Sequence, residues 1–211
     1  MKKSLFFGLI FVLLVSCIQN KTSMEDKDLI IDNILTRRSI RKFATQQVGA
    51  SQLDVISKCA VYSPSALNKQ PWEVRIIQNS DILADINNRF LEYAKGKTLS
   101  GSASKASEPG FSIFHHAPTL IVIGKDKSNN FSSIDCGIIT QNILLSAHAL
   151  GLGTCPIGSL AFVFNDEINK DLWQTLNMPN THDFALCIAL GYPDEQPVAK
   201  DRDFNKVQII N

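Results

Sequence analysis

Residues 132–150 constrain the fold more than any other stretch of this chain. They read Ser-Ser-Ile-Asp-Cys-Gly-Ile-Ile-Thr-Gln-Asn-Ile-Leu-Leu-Ser-Ala-His-Ala-Leu, the longest helix candidate, and they are apolar nearly all round. A helix without a polar face has to be covered on every side, so this one is expected to run through a core. Ser132 or Ser133 is the expected N-cap, and Asp135 suits the positive end of the helix dipole. Asp135, Gln141, Asn142 and His148 argue against a membrane span, and Gly151-Leu152-Gly153 ends the helix. The chain of 211 residues is long enough for one domain with a sizeable core. Its net charge of only +1 argues against a dedicated nucleic-acid binder.

Around that helix the chain mixes helices and strands without regular alternation. Asp28 to Thr36 reads as a helix with Leu29, Ile30, Ile34 and Leu35 on one side. Ser51 can cap a second helix that buries Leu53, Ile56 and Ala60. Pro64 stops it, and residues 63–72 form a proline-bracketed loop of fixed shape. Trp72 to Ile77 alternates as a strand. Asn79 or Ser80 can cap a third helix carrying Ile82, Leu83, Ile86, Phe90 and Leu91. Gly96 to Gly110 shows no apolar pattern and reads as a long mobile loop, a candidate lid. Pro118 to Gly124 is a buried strand, Asn165 to Leu176 a helix capped by Asn165, and Phe184 to Leu190 a continuous apolar strand. The last stretch, Asp194 to Asn211, is polar with a small apolar end and is expected to reach over a neighbour. This irregular mixture fits an α+β layer structure better than a doubly wound parallel sheet.

The first residues are expected to lie outside the fold. Lys2 and Lys3 precede an apolar run from Leu5 to Val15, too short to span a bilayer as a helix. Leu14-Val15-Ser16-Cys17 then resembles a bacterial lipobox. On that reading residues 1–16 are a removed signal peptide, Cys17 carries acyl chains, residues 17–27 are a lipidated tether, and residues 28–211 form the domain. Several acyl chains give stable anchoring. The expected location is the bacterial cell envelope, lipid-anchored and facing the periplasm or exterior. An ordinary secretory signal with a chance cysteine is the alternative. Cys59, Cys136, Cys155 and Cys187 each lie in an apolar context and are expected to be free buried thiols. The histidines His115, His116, His148 and His182 lack metal-ligand spacing with these cysteines or a carboxylate, so no metal site is expected.

The chemistry gathers in four places. Arg37-Arg38-Ser39-Ile40-Arg41-Lys42-Phe43 has four cations in seven residues. Arginine grips phosphate through two parallel N–H bonds and Ser39 adds a hydroxyl, so a phosphate group is the natural guest. A solvated basic turn is the plain alternative. Gly151-Leu-Gly-Thr-Cys-Pro156 fails the dinucleotide fingerprint because Pro156 stands where its last glycine belongs. No G-x-x-x-x-G-K-[ST] loop and no G-x-S-x-G elbow occurs. Trp72 reads as core rather than a substrate platform, Asp135 as a helix-end acid rather than a catalytic one, and Cys155 as a packing residue. His115-His116 reads as loop, and Phe111 and Phe114 fit either a lid or the core.

Taken together, four motifs resemble the FMN-dependent nitroreductase family. Residues 37–43 look like its opening motif, and Ser63-Pro-Ser-Ala-Leu-Asn-Lys-Gln-Pro-Trp72 like its second. Asp135-Cys-Gly-Ile-Ile-Thr-Gln-Asn142 with Ala149-Leu-Gly-Leu-Gly-Thr-Cys-Pro-Ile-Gly158 is similar to its central helix and following turn. Leu190-Gly-Tyr-Pro193 and Lys200-Asp-Arg202 are similar to its C-terminal end. The resemblance implies a nitroreductase-like fold, a central, mostly antiparallel sheet flanked by helices, in an intertwined homodimer with two interfacial flavin sites. It implies that Arg37 and Ser39 hold the FMN phosphate with Lys200 and Arg202, that Arg38 contributes backbone contact, and that Arg41 reaches the ribityl and pyrimidine side. Pro64, Ser65, Ala66 and Asn68 would come from the other subunit. Pro156, Ile157 and Gly158 would lie against the ring near flavin N5. The segment 110–113 offers no match to the amide or cation that many members place before the second strand. The implied activity is ping-pong oxidoreduction in which the flavin carries the chemistry. Electrons would come from NAD(P)H or an extracytoplasmic reductant and go to nitroaromatics, quinones or similar electron-poor compounds. The competing expectation is a non-enzymatic, lipid-anchored protein that binds FMN or another ligand.

Overall fold

A computed structural model of the protein describes residues 28–211. The expected signal peptide, Cys17 and the tether therefore lie outside the described residues. The chain divides into two compact units, residues up to Arg37 and residues Arg38 to Asn211. In the first, residues 28–36 are helical (α1), as the pattern predicts. Leu29, Ile30, Ile34 and Leu35 are all exposed there. The Thr36 hydroxyl donates to the Asp32 carbonyl at 2.7 Å, one turn back along the helix.

The second unit is built on a four-stranded sheet in the order β1-β2-β4-β3. The strands are β1 (Trp72–Ile77), β2 (Thr119–Asp126), β3 (Gly153–Ile157) and β4 (His182–Gly191), and every pairing is antiparallel. The central strands alternate cleanly. Leu120, Val122, Cys187 and Ala189 face one apolar cluster, which includes Leu83, Ile86 and Phe90 of α3 (Ser80–Ala94). Ile121, Ile123, Ile188 and Leu190 face the other, with Ile56 and Ala60 of α2 (Ala50–Val61) and Cys136, Ile139 and Ile143 of α4 (Ser132–Ala149). Both faces are covered, so the middle strands carry unbroken apolar runs. Leu120 to Ile123 are fully buried, each contributing roughly 1.5–3 kcal/mol by leaving water. Helix α4 buries one face, through Cys136, Ile139, Ile143, Leu144 and Ala147, while Ser133, Ile134, Gly137 and Gln141 are exposed, so the expectation of a helix covered on every side is corrected for the single chain.

Several local expectations are corrected. Gly49, not Ser51, caps α2, and the Gly49 N–H donates to Gln52 Oε1 at 3.3 Å. Neither Ser132 nor Ser133 caps α4. The cap is Phe131, with no side-chain bond, and Ser132 is buried inside the first turn. In place of one helix over 165–176 there is a short 3₁₀ turn at Glu167–Asn169 running into α6 (Lys170–Thr175), preceded by a separate single turn, α5 (Ala161–Phe164). Asp166, not Asn165, caps this piece by accepting the Ile168 N–H at 3.1 Å, and Asn165 instead follows the end of α5. Residues 96–110 are not featureless. A 3₁₀ turn at Gly101–Lys105 is pinned by buried Ala103, a residue too small to show in an apolar pattern. Strand β3 was hidden by Gly153 and Pro156. Proline is tolerated there because β3 is an edge strand.

Candidate functional site

The basic stretch is a ribbon laid across one end of the sheet. The Ile40 N–H donates to the Thr154 carbonyl at 2.9 Å, and Ser39 bridges Thr154 in parallel. On its other side the Ala44 N–H donates to the Tyr192 carbonyl and the Asp194 N–H to the Lys42 carbonyl, both at 2.9 Å. The Arg41 N–H donates to the Glu195 carboxylate. Ile40 is buried and Phe43 packs partly against the core, so these two apolar residues anchor a segment whose Arg41 and Lys42 stay exposed. Two glycines make the anchoring possible. A Cβ on Gly153 would lie 2.8 Å from Ile40 Cγ1, and one on Gly191 would lie 2.8 Å from Pro118 Cδ and 3.1 Å from Phe43 Cδ1. Arg38 and Ser39 are half-buried. Arg37 belongs to the first unit and is itself half-buried.

Strand β3 carries the next group. Pro156 is half-buried, Ile157 buried and Gly158 exposed, and a Cβ on Gly158 would meet nothing within 4 Å. Ser39 pairs at Thr154 of this same strand, so Ser39 and residues 156–158 share one sheet edge, about 13 Å apart at most. Among the described residues the Arg41 guanidinium makes a single long hydrogen bond, 3.5 Å to the Ser39 carbonyl. Its remaining donors are available to a guest.

The loop with Pro64, Ser65, Ala66 and Asn68 sits at the opposite end. The Asp126 N–H donates to the Pro71 carbonyl, whereas Thr154 pairs through Leu190 with Thr119. Seven strand steps from Thr119 to Asp126 put about 23 Å between these ends. The loop is tightly specified. Leu67, Asn68 and Gln70 have positive φ (54°, 53° and 47°), and the Gln70 N–H donates to Ser65 Oγ at 2.9 Å. Asp135 holds the loop to α4. Its carboxylate is buried and accepts the Ala66 N–H at 3.3–3.4 Å. The expected helix-end acid therefore has a long-range partner that spacing could not reveal.

Lys200 and Arg202 lie exposed on the C-terminal arm, where Arg202 Nη1 donates to the Lys200 carbonyl at 2.7 Å. Among the described residues no hydrogen bond joins them to Ser39 or Arg41. Val198, Phe204, Val207, Ile209 and Ile210 on this arm are all exposed apolar residues. Trp72 and Phe114 are core residues, and Cys155 is buried in the α3-side cluster. Cys59, Cys136 and Cys187 are free thiols, Cys59 being only half-buried. Burial pushes the Cys136 thiol up to about 11 and holds Cys187 well above the ordinary thiol range. His115 and His116 form a turn with φ of 59° and 57°, fixed by the His115 N–H on the Ser112 carbonyl and the His116 N–H on Ser112 Oγ. Burial first, then the positive Arg41, lowers the His115 pKa, with Glu195 opposing.

Comparison with known proteins agrees with this geometry. The profile described as "Nitroreductase family" matches residues 34–192. A protein of Methanothermobacter thermautotrophicus, provisionally named an NADH dehydrogenase/NAD(P)H nitroreductase, is 30% identical over 188 residues, covering 87% of this chain and 86% of that one. The crystal structure of a nitroreductase with bound FMN from Desulfitobacterium hafniense superposes with a TM-score of 0.80 at 25% identity, covering 86% of this chain and 98% of that one. An FMN-dependent nitroreductase from Clostridium difficile gives 0.74 at 29% identity, with 86% and 98% covered.

Proposed function

The chain belongs to the nitroreductase family, and we propose that it is an FMN-dependent oxidoreductase that reduces nitroaromatics, quinones or similar electron-poor conjugated compounds. The observation that carries this reading is the clamped basic ribbon, which holds Ser39 and Arg41 on the same sheet edge as residues 156–158. The residue types suit the cofactor. An FMN phosphate carries about two negative charges, which Ser39 would meet with its hydroxyl and Arg37, Lys200 and Arg202 would meet as cations, with Arg38 contributing its backbone. The open space beside Gly158 leaves room for a flat ring against Pro156, Ile157 and Gly158. Arg41, with most of its donors uncommitted, would meet the pyrimidine side. A cation there stabilises negative charge on the ring and raises its reduction potential. Bound FMN would supply the hydride and electron transfer, and the protein's part is to hold and tune it.

The site needs two copies of the chain. The loop carrying Pro64, Ser65, Ala66 and Asn68 is about 23 Å along the sheet from the ribbon of its own chain. Those residues would cover the flavin held by a second copy. The exposed apolar residues of α1 and the C-terminal arm support a homodimer. We further place the domain in the cell envelope through acylated Cys17. That location favours a reductant other than free NAD(P)H, such as a quinol or a reduced carrier protein.

Anaerobic reduction of the FMN-loaded protein, followed by a nitroaromatic or a quinone, tests the activity. Rapid return of the yellow flavin spectrum in proportion to added acceptor is expected. A spectrum that stays bleached would remove the oxidoreductase reading. Slow oxidation of NADH is expected in the same preparation, and mass spectrometry of the mature N-terminus should find acylated Cys17.

A further inference from the structure

A cavity of about 510 Å³ opens beside Arg41, at the ribbon end of the sheet. The 101–112 loop forms its far wall with Lys105 and Glu108, and Phe43 and Phe111 supply apolar surface. Both rings are half-buried, and Phe111 is held by stacking on Phe90 at 6.2 Å between centroids. The lining residues carry more positive than negative charge, with the Glu195 carboxylate set on the Arg41 N–H beside them. Arg41, Lys42 and Lys105 line the space against a single carboxylate, Glu108, which lies 3.7 Å from Lys105 Nζ. His115 and His116 complete the wall from a turn in which both residues adopt the left-handed region. Such conformations persist where surrounding bonds over-determine them, and here Ser112 fixes both.

We propose that this cavity selects the electron acceptor by charge, taking flat conjugated organic anions. The carboxylate would sit against Lys105 and the ring against Phe43 and Phe111. This rests on the oxidoreductase reading for its meaning, but not for its test. Lys105 comes from a turn that the apolar pattern does not reveal.

Binding of 4-nitrobenzoate and of its neutral methyl ester to the purified full chain separates charge from shape. Calorimetric titration, with and without added FMN, should show the acid binding about tenfold more tightly than the ester, the size expected of one charge-assisted contact. Lys105→Gln should shrink that ratio to about threefold or less, and Glu108→Gln should widen it. Equal affinities for acid and ester, or a ratio that neither variant moves, would overturn the proposal. The flavin spectrum of the same sample reads the cofactor assignment separately. Retained flavin with no preference for the acid removes only the anion pocket. A preference without retained flavin removes only the cofactor.

Discussion

Replacing Gly153 with alanine tests how the ribbon is held. The new Cβ would lie 2.8 Å from Ile40 Cγ1, 2.9 Å from Ile40 Cβ and 3.1 Å from Ile40 Cγ2. Favourable carbon contacts are about 3.5–4.0 Å, so the two segments must separate by roughly 1 Å. Rotating Ile40 does not relieve the clash, because its Cβ is fixed to the backbone. Overpacking of this kind costs about 1–3 kcal/mol, a fall in Tm of roughly 2–12 °C for a domain this size. Ile40 stands between Ser39 and Arg41, so moving it moves both proposed flavin contacts. A charge-assisted bond contributes about 1.5–3 kcal/mol, and weakening one substantially raises the FMN Kd about tenfold or more. Gly137→Ala is the control. Its Cβ would meet nothing within 4 Å in the interior of α4, so the helix should gain roughly 0.5–1 kcal/mol. Thermal melts and FMN titration by fluorescence quenching read both effects. If Gly153→Ala melts and binds FMN like Gly137→Ala, the ribbon is not seated as described.

Asp135→Ala leaves the Ala66 N–H without its acceptor and should cost about 1–2 kcal/mol in denaturant unfolding, with Asp135→Asn costing less. The His115 pKa is lowered from 6.5, so the native state binds fewer protons than the unfolded chain. Its contribution to stability is complete above about pH 6.5 and is lost as pH falls through the lowered value. Stability measured across that range should fall less steeply in His115→Asn, since asparagine tolerates the left-handed backbone. Removing residues 204–211, which carry exposed Phe204, Val207, Ile209 and Ile210, should shift sedimentation from dimer toward monomer.

What the sequence shows and hides follows from the range of the interactions. The runs at Leu120–Ile123 and Phe184–Leu190 were legible because burial on two faces leaves no polar residues to interrupt them, whereas the apolarity of α4 did not tell its buried face from its exposed one. The ribbon was legible by residue type alone. Its seating was not, because nothing local in Gly153 or Gly191 announces that Ile40 or Pro118 lies against it. Asp135 sits where a helix-end acid would, and only the folded chain brings Ala66 to it across 69 positions. Ala103 and Lys105 sit in a stretch of small and polar residues, so neither the pinned turn nor the cation it presents had a periodic signature. Two apolar residues inside the cationic run, Ile40 and Phe43, were the available sign that this stretch packs rather than floats in solvent.

The most direct measurement is the absorbance spectrum of the purified protein after incubation with FMN and desalting. The account predicts flavin bands at close to one FMN per chain, lost when Arg37 and Arg41 are both replaced by alanine. A protein that emerges colourless, or whose bands survive the double replacement, would contradict the placement of FMN on the basic ribbon.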